Sequence, residues 1–336
     1  MPKIRAIEYK DEKLHIIDQT LLPLKLDYII TDDYNRIAEA IEKLEVRGAP
    51  AIGISAAYAL ALSVKNLLQD KRKIFYEAYD RLSITRPTAV NLFFALNEMK
   101  MTFENNVQGE LLFPTLIQKA KELHDEDIQM CEAIGNNGLS IFNKRVTVLT
   151  HCNTGSLATG GDGTALNVIK KGYEQGLVEL VYVDETRPLL QGSRLTAWEL
   201  EQSNIPFKII TDSTAAVLIK ENKIDFVITG ADRIAINGDI ANKIGTYNLA
   251  VLCKYHSIPF YVAAPSTTLD PKAQTASDIK IELRNKDELL EINGNPITKN
   301  NYDAFCPAFD VTPHTLISGI ITEKKIYKSP FNFKNV

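Results

Sequence analysis

A cysteine and an aspartate stand where two predicted strands end, and both residue types can move protons. Cys152 follows the β-branched run at 146–150, and Asp232 follows another at 224–229. A thiol near a helix N-terminus favours its thiolate form, which can act as a base or a nucleophile. A carboxyl group in a closed apolar pocket can keep its proton and act as a general acid. The alternatives are a small buried hydrophobic residue at 152 and a helix cap or salt-bridge partner at 232.

Basic residues in turns before predicted helices could hold an anionic ligand. Arg47 and Arg86 each precede a proline that can start a helix, and Gly48 would let the backbone approach a ligand closely. Lys243 precedes the predicted helix at 245–256 and could clamp a phosphate or form a Schiff base. The alternative for all three cations is an ordinary surface charge.

Two further polar groups lie at the same predicted sheet edge. His151 precedes Cys152, and it is either a packed structural imidazole or a catalytic one. If both residues are extended, their side chains point to opposite faces. Asp184, Glu185 and Arg187 follow the next predicted strand, and we expect them to form a salt-bridge network that shapes their loop.

The glycine-rich stretch at 160–163 does not predict a dinucleotide site. In the segment 161–166 (GDGTAL), leucine takes the place of the third glycine, and the stretch begins well after the preceding strand. We expect instead a loop that leads into a helix N-terminus, which can face an anion.

From about residue 145 the sequence alternates short β-branched runs with amphipathic segments. This alternation is typical of βαβ units, whose parallel strands are covered by helices on both faces. We therefore predict an α/β fold, with a Rossmann-like, doubly wound, mostly parallel sheet in a catalytic domain at 144–336. In such a sheet ligands bind outside the carboxyl ends of the strands. Predicted strands lie at 146–150, 178–183, 207–211, 224–229 and 260–264, and predicted helices at 164–175, 194–202, 214–220 and 245–256.

The first 143 residues predict a smaller, mainly helical domain that opens with a short β-hairpin. The apolar run at 49–64 is shorter than the ~20 residues that a membrane span needs, so it predicts a buried helix and no membrane partner. The hairpin strands are predicted at 4–9 and 14–17, and the helices at 34–44, 51–68, 73–82, 89–103 and 113–142.

Composition narrows the class of protein. The chain has 336 residues, of which 45% are apolar and 24% charged, as expected for a folded protein with about two domains. Its formal net charge of -4 argues against a nucleic-acid partner. The charged N-terminal stretch does not resemble a secretory signal, and the four scattered cysteines lack metal-ligand spacing. We therefore expect a cytoplasmic, reduced protein without a metal site.

Eight short blocks of the sequence closely resemble the methylthioribose-1-phosphate isomerases. They occur in family order and extend over nearly the whole chain. The wider superfamily includes ribose-1,5-bisphosphate isomerases and regulatory subunits of the translation-initiation exchange factor. The blocks are 47–53 (RGAPAIG), 86–92 (RPTAVNL), 151–155 (HCNTG), 184–188 (DETRP), 191–196 (QGSRLT), 230–234 (GADRI), 241–247 (ANKIGTY) and 307–313 (PAFDVTP).

The resemblance implies an aldose–ketose isomerase of methionine salvage that uses neither a metal nor a nucleotide cofactor. Such an enzyme converts 5-methylthioribose 1-phosphate into 5-methylthioribulose 1-phosphate. It further implies a homodimer, with Asp232 as the proton donor and Cys152 as the second catalytic group. The residues implied for substrate binding are Arg47, Gly48, Ala49, Arg86, Gln191, Asn242 and Lys243.

Alternatives remain for the chemistry and for the substrate. Cys152 could take the C2 proton to give a phosphoenolate, or it could stabilise a hydride shift from C2 to C1. Asp162 stands where an uncharged or aromatic residue is expected in this family, and if its loop touches the C5 end of the sugar it favours a polar tail over a methylthio group. The alternative enzyme is a related isomerase of 5-deoxyribose 1-phosphate or ribose 1,5-bisphosphate. The interpretation from another class is a non-catalytic regulatory subunit that senses a sugar phosphate, against which the retained Cys152 and Asp232 argue.

Overall fold

Contacts divide the chain into two units in the computed structural model, which describes residues 4–65, 69–87, 89–107, 109, 111–292 and 294–334. The first unit holds the described residues up to Glu132, together with the segment Gly155–Gly163. The second holds Ala133–Thr154 and the described residues from Thr164 onward. The sequence predicts domains at 1–143 and 144–336, which means segments that fold independently. The contact-based units do not test independent folding, so this division stays a prediction.

The β-branched runs of the second unit pair as a sheet in the order β15-β14-β10-β7-β4-β5-β6. All neighbours from β14 to β6 are parallel, and β15 is antiparallel to β14. The predicted fold class is therefore confirmed. The strands are β4 (Val146–Thr150), β5 (Val178–Asp184), β6 (Phe207–Ile210), β7 (Phe226–Thr229), β10 (Phe260–Ala263), β14 (Gly319–Ile321) and β15 (Ile326–Tyr327).

Apolar side chains fill both faces of this sheet. Successive residues of a strand point to opposite faces, so Val148 and Leu149 belong to two different buried clusters. Val181 and Ile228 share the cluster of Val148, whereas Val227 shares that of Leu149. This two-sided burial explains why the strands read as continuous apolar runs.

Helices and a small sheet complete the second unit. A three-stranded antiparallel sheet has the order β13-β9-β8. The predicted helix at 194–202 starts as a π-helix, Gly192–Thr196, and continues as an α-helix. These elements are α6 (Ala165–Glu174), α7 (Ala197–Gln202), α8 (Thr214–Lys220), β8 (Arg233–Ile234), β9 (Ile240–Lys243), α9 (Thr246–His256), α10 (Asp287–Leu290), β11 (Glu291–Ile292), β12 (Asn295–Pro296) and β13 (Phe309–Thr312).

The first unit combines an antiparallel sheet, β1-β2-β3, with helices. The predicted hairpin forms, and β3 extends it. In α2 every residue from Ala51 to Ser63 is buried, as a helix that is apolar all round requires. The elements are β1 (Ile7–Lys10), β2 (Lys13–Ile17), β3 (Tyr28–Thr31), α1 (Tyr34–Glu42), α2 (Ala49–Ser63), α3 (Lys71–Ser83), α4 (Val90–Asn106) and α5 (Leu112–Gly138), the last of which extends into the second unit.

Two helices end four or five residues earlier than predicted. The helix predicted at 51–68 ends at Ser63, and its last three predicted residues lie outside the described part. The long helix ends at Gly138, and a 3-10 turn at Leu139–Ile141 follows it. Among the described residues, no helix combines the length and apolar character that a bilayer crossing requires.

Candidate active site

The strand order creates a switch point between β4 and β7. From β4 the chain proceeds outward to β5 and β6, and then returns to the other side of β4 to form β7, β10 and β14. Cys152 follows β4 and Asp232 follows β7, so both residues leave the same edge of the sheet. The two loops come close there, since a Cβ added at Gly230 would lie 2.6 Å from the side-chain atom Thr154 Cγ2. In doubly wound sheets this crevice is where ligands bind.

Cys152 has a backbone conformation that is uncommon for a residue with a side chain. Its φ is 61°, in the left-handed region, and its exposed fraction is 8%. Its N–H donates to Thr186 Oγ1 at 2.9 Å, and its carbonyl oxygen accepts from Thr196 Oγ1 at 2.6 Å. The chain therefore leaves β4 in a sharp, hydrogen-bonded turn at the thiol.

His151 lies in a buried polar network beside that turn. Nδ1 is 2.9 Å from Asp184 Oδ2, and Nε2 is 2.9 Å from the Ile244 carbonyl oxygen. A backbone carbonyl and an ionised carboxylate both accept hydrogen bonds, so these contacts favour the ring form that is protonated on both nitrogens. Burial lowers the pKa of His151, but the hydrogen bond and the charge of Asp184 outweigh it and raise that pKa overall. Burial also raises the pKa of Asp184 to about 6, which leaves it ionised at neutral pH.

This network has the residue types of a metal site, but most of their ligand atoms already take part in hydrogen bonds, Asp184 Oδ1 being the buried exception among the described residues. Candidate ligand atoms of His151, Asp184 and Asp212 lie within 4.8 Å of one another. The Asp212 oxygens, however, accept the backbone N–H groups of Thr186 and Arg187, at 2.8 Å each. With both histidine nitrogens also hydrogen-bonded, the cluster is built to connect loops.

The small sheet positions three of the predicted residues. The Asp232 N–H donates to the Ala241 carbonyl oxygen at 2.9 Å, next to Asn242 and Lys243 on β9. The Asn242 side chain donates to Thr246 Oγ1 at 2.9 Å. Lys243 Nζ lies 4.9 Å from the centre of the Phe309 ring, a cation–π contact. This sheet therefore holds the loop after β7 against β9.

The side-chain amide oxygen of the buried Gln191 is a hydrogen-bond acceptor without a partner among the described residues. Its side chain is 3% exposed, and Oε1 has no hydrogen-bond partner among the residues that the structure describes. A buried amide oxygen without a partner is costly. A hydroxyl group of a ligand would satisfy it.

Four predicted residues belong to the first unit. Arg47, Gly48 and Ala49 lie at the start of α2, and Arg86 lies shortly before α4. The two helices pack so closely that a Cβ added at Gly53 would lie 2.7 Å from the Asn91 carbonyl oxygen. Gly53 and Asn91 each belong to the first turns of their helices. Both half-buried arginines therefore lie at the same end of this helix pair.

The structure thus divides the predicted site residues between the units. Cys152, Asp232, Gln191, Asn242 and Lys243 belong to the second unit, and the other four belong to the first.

One predicted network was wrong, and other functional candidates were missed. Instead of pairing with acidic neighbours, Arg187 donates to the carbonyl oxygens of Pro188 and Leu289, while Asp184 pairs with His151. Thr186 and Thr196 were not singled out. The sequence signal that could have identified these two threonines is their position in or beside the polar segments that follow the apolar strands.

Comparisons with known proteins agree with this fold. Residues 45–329 match the profile of the Initiation factor 2 subunit family. A methylthioribose-1-phosphate isomerase of Thermoanaerobacter sp. (strain X514) is 46% identical over 337 residues, covering 98% of each chain. Another, of Caldicellulosiruptor saccharolyticus, is 47% identical, covering 98% of this chain and 97% of that one. The chain belongs to the Initiation factor 2 subunit family and, within it, to the methylthioribose-1-phosphate isomerases.

Solved structures are similar over the same length. The 5-methylthioribose 1-phosphate isomerase from Pyrococcus horikoshii OT3 has a TM-score of 0.90 and 40% identity, covering 97% of this chain and 93% of that one. A protein from A. fulgidus described as translation initiation factor eIF-2B, subunit delta, has a TM-score of 0.85 and 39% identity. It covers 97% of this chain and 96% of its own.

Proposed function

We propose that the protein converts 5-methylthioribose 1-phosphate into 5-methylthioribulose 1-phosphate, an aldose–ketose isomerisation of methionine salvage. The observation that supports it best is the switch point. A thiol and a carboxyl group follow neighbouring strands there, in a chain 46% identical over 337 residues to a methylthioribose-1-phosphate isomerase. The reaction is redox-neutral, because C1 is reduced while C2 is oxidised, so it calls for no external oxidant.

The structure of the substrate explains why the reaction needs both an acid and a base. Its anomeric carbon carries a phosphate, so the ring cannot open spontaneously to a free aldehyde. In our proposal Asp232 donates a proton to the ring oxygen as the bond between C1 and that oxygen breaks, and the phosphate stays on C1. The Cys152 thiolate removes the C2 proton to give a phosphoenolate. The Cys152 thiol then returns a proton to C1, while the C2 hydroxyl gives its proton to the Asp232 carboxylate and becomes the ketone. In the competing version, the C2 hydrogen moves to C1 as a hydride and Cys152 acts only electrostatically.

The same proposal assigns substrate binding to a set of polar residues and turn residues. The guanidinium groups of the two arginines and the ammonium group of Lys243 can donate hydrogen bonds to phosphate oxygens. Gln191 Oε1, which has no partner among the described residues, can accept a hydrogen bond from a sugar hydroxyl. The full set is Arg47, Gly48, Ala49, Arg86, Gln191, Asn242 and Lys243.

The decisive experiment combines turnover with one substitution. We expect Asp232→Asn to lower kcat by about 10³-fold, because the amide cannot donate the acid proton. Asp225→Asn is the matched control. Asp225 lies immediately before β7, at its opposite end, where it accepts from the Thr147 N–H, and this variant should keep the wild-type kcat. Near-normal activity of Asp232→Asn would remove Asp232 from the mechanism.

Isotope transfer distinguishes the two versions of the hydrogen step. A substrate with deuterium at C2 should lose most of it to water if Cys152 takes a proton. Complete retention of deuterium at C1 would instead favour the hydride shift.

A second candidate is a non-catalytic, sugar-phosphate-sensing subunit, favoured by the 39% identity to the A. fulgidus protein. Binding of the sugar phosphate without turnover would support it.

A third candidate function is that of a related pentose-1-phosphate isomerase, favoured by the charge of the half-buried Asp162. Side-by-side turnover of methylthioribose 1-phosphate, 5-deoxyribose 1-phosphate and ribose 1,5-bisphosphate decides between the substrates.

The assembly and the cellular location belong to the same proposal. We infer a homodimer, which the membership of the isomerase family supports. We also infer a cytoplasmic enzyme, since Cys131, Cys152, Cys253 and Cys306 are all free and buried.

A further inference from the structure

Two residues near the switch point have strained backbones. Cys152 has a φ of 61° and Thr186 a φ of 65°, both in the left-handed region that favours glycine. For a β-branched residue such as threonine this conformation is a genuine outlier. Conformations of this kind persist only where the surroundings over-determine them, and they concentrate at functional sites.

Two buried hydroxyl groups hold the strained backbone of Cys152, one through its N–H and the other through its carbonyl oxygen. Thr186 Oγ1 accepts the Cys152 N–H at 2.9 Å and donates its own hydrogen to the Asp184 carbonyl oxygen at 3.0 Å. Thr196 Oγ1 donates to the Cys152 carbonyl oxygen at 2.6 Å. Both threonines are 0% exposed, so water cannot easily replace either hydroxyl.

Each threonine is itself held in place. Asp212 accepts the backbone N–H of Thr186 at 2.8 Å. Thr196 ends the π-helix Gly192–Thr196, an irregularity that is frequent at functional sites. Gly192 lets that helix approach, because a Cβ there would overlap the Asp184 carbonyl oxygen and lie 3.0 Å from Thr186 Oγ1. The arrangement therefore depends on three separate segments of the chain.

We propose that Thr186 and Thr196 are positioning residues that fix the Cys152 backbone in its left-handed conformation and thereby aim the thiol. Without either hydroxyl, the peptide relaxes toward an ordinary conformation and the Cβ–Sγ bond changes direction. The kinetic consequence rests on the proposed isomerase function, whereas the effect on the thiol does not.

The test replaces each hydroxyl with a methyl group of the same shape. Thr186→Val and Thr196→Val should each lower kcat by about tenfold or more, with KM changed less than threefold, because misaiming a catalytic group affects the transition state most. Thr186→Ser and Thr196→Ser keep the hydroxyl and should restore most of kcat. Thr312→Val is the matched control. Thr312 is equally buried, and its hydroxyl has no hydrogen-bond partner among the described residues, so kcat should not change.

Alkylation of Cys152 by iodoacetamide, followed by peptide mass spectrometry, gives a readout independent of turnover. The two valine variants should alkylate several-fold faster than the wild type, because a freed backbone exposes the thiol. The serine variants and Thr312→Val should match the wild type. Unchanged alkylation and unchanged kcat in both valine variants would overturn the proposal.

The outcomes separate the two proposals and allow for a folding defect. If the wild type shows no isomerisation but the valine variants alkylate faster, the proposed function fails and the positioning role of Thr186 and Thr196 stands. If one valine variant does not fold, the other decides alone, because the two hydroxyls contact different atoms of the Cys152 peptide. If neither folds, Thr196→Ala replaces them. Wild-type kcat and alkylation in that variant would count against the positioning role of Thr196.

Discussion

Asp127, on α5, is a buried carboxyl group that holds a glycine-rich turn. It is 4% exposed, and its Oδ2 accepts the Gly160 N–H at 2.7 Å. Burial raises the pKa of Asp127 from 3.8 to about 6, although hydrogen bonds from Gly160 and Cys131 counteract part of this effect. The folded protein therefore binds a proton at this site between about pH 4 and pH 6, where the unfolded chain has released it.

We predict that this group makes the protein less stable as the pH rises through that window. Because the pKa is higher in the folded state, the free energy of unfolding falls with rising pH, by at most about 3 kcal/mol for this shift. Urea unfolding at pH 4 and pH 7 should show a smaller fall for Asp127→Asn than for the wild type. Asp125→Asn, at an exposed position on the same helix, should retain the wild-type fall. Equal falls in all three proteins would show that Asp127 is not the group responsible.

At the scale of elements, α2 begins at a turn that only glycine fits. Gly48 is the N-cap of α2 with a φ of 93°, and a Cβ there would overlap the backbone of Ala158. The turn that carries Arg47 is thereby packed directly against the segment Gly155–Gly163. A side chain at 48 would have to displace either the helix start or that segment.

We predict that Gly48→Ala is more destabilising than a glycine substitution in open space. Gly176 is the control, because its φ is 71° and a Cβ there would meet nothing within 4 Å. Gly176→Ala should cost about 1 kcal/mol from backbone strain alone, and Gly48→Ala about 2 kcal/mol more from the added collision. Denaturant unfolding measures both. Equal losses would contradict the close packing at Gly48.

At the scale of the whole molecule, exposed apolar side chains point to self-association. Tyr247, Val251 and Tyr255 recur at every fourth position of α9 and are 46%, 40% and 82% exposed. Such spacing puts them on one face of the helix. Exposed apolar patches often mark interfaces, and most oligomers are symmetric dimers.

We therefore predict that light scattering at micromolar concentration gives twice the chain mass of 37.5 kDa. Tyr255→Glu should lower that mass toward one chain, because a carboxylate in a buried interface is costly. Lys254→Glu, a charge change at the adjacent exposed position, is the control and should leave the mass unchanged. A wild-type mass of one chain would contradict the homodimer.

The local pattern of the sequence was enough to predict the main elements. Period and composition located five of the seven strands of the sheet and most helices, because burial on both faces favours continuous β-branched runs. The same pattern located the polar residues at the strand ends, including Cys152 and Asp232. The short strands β3, β8, β9 and β11 to β15 were missed, since runs of two to four residues carry little periodicity.

The order of the strands and the partners of each polar group were decided only by the tertiary structure. Nothing local in residues 146–150 or 226–229 indicates that these two strands are neighbours, because pairing depends on how the whole sheet packs. The bond from His151 to Asp184 joins residues 33 positions apart, and that from Thr196 to Cys152 spans 44. The sequence by itself was therefore enough to identify the side chains that are capable of acid–base chemistry. Long-range packing determined how the thiol is held, because a strained conformation survives only where distant segments supply its hydrogen bonds.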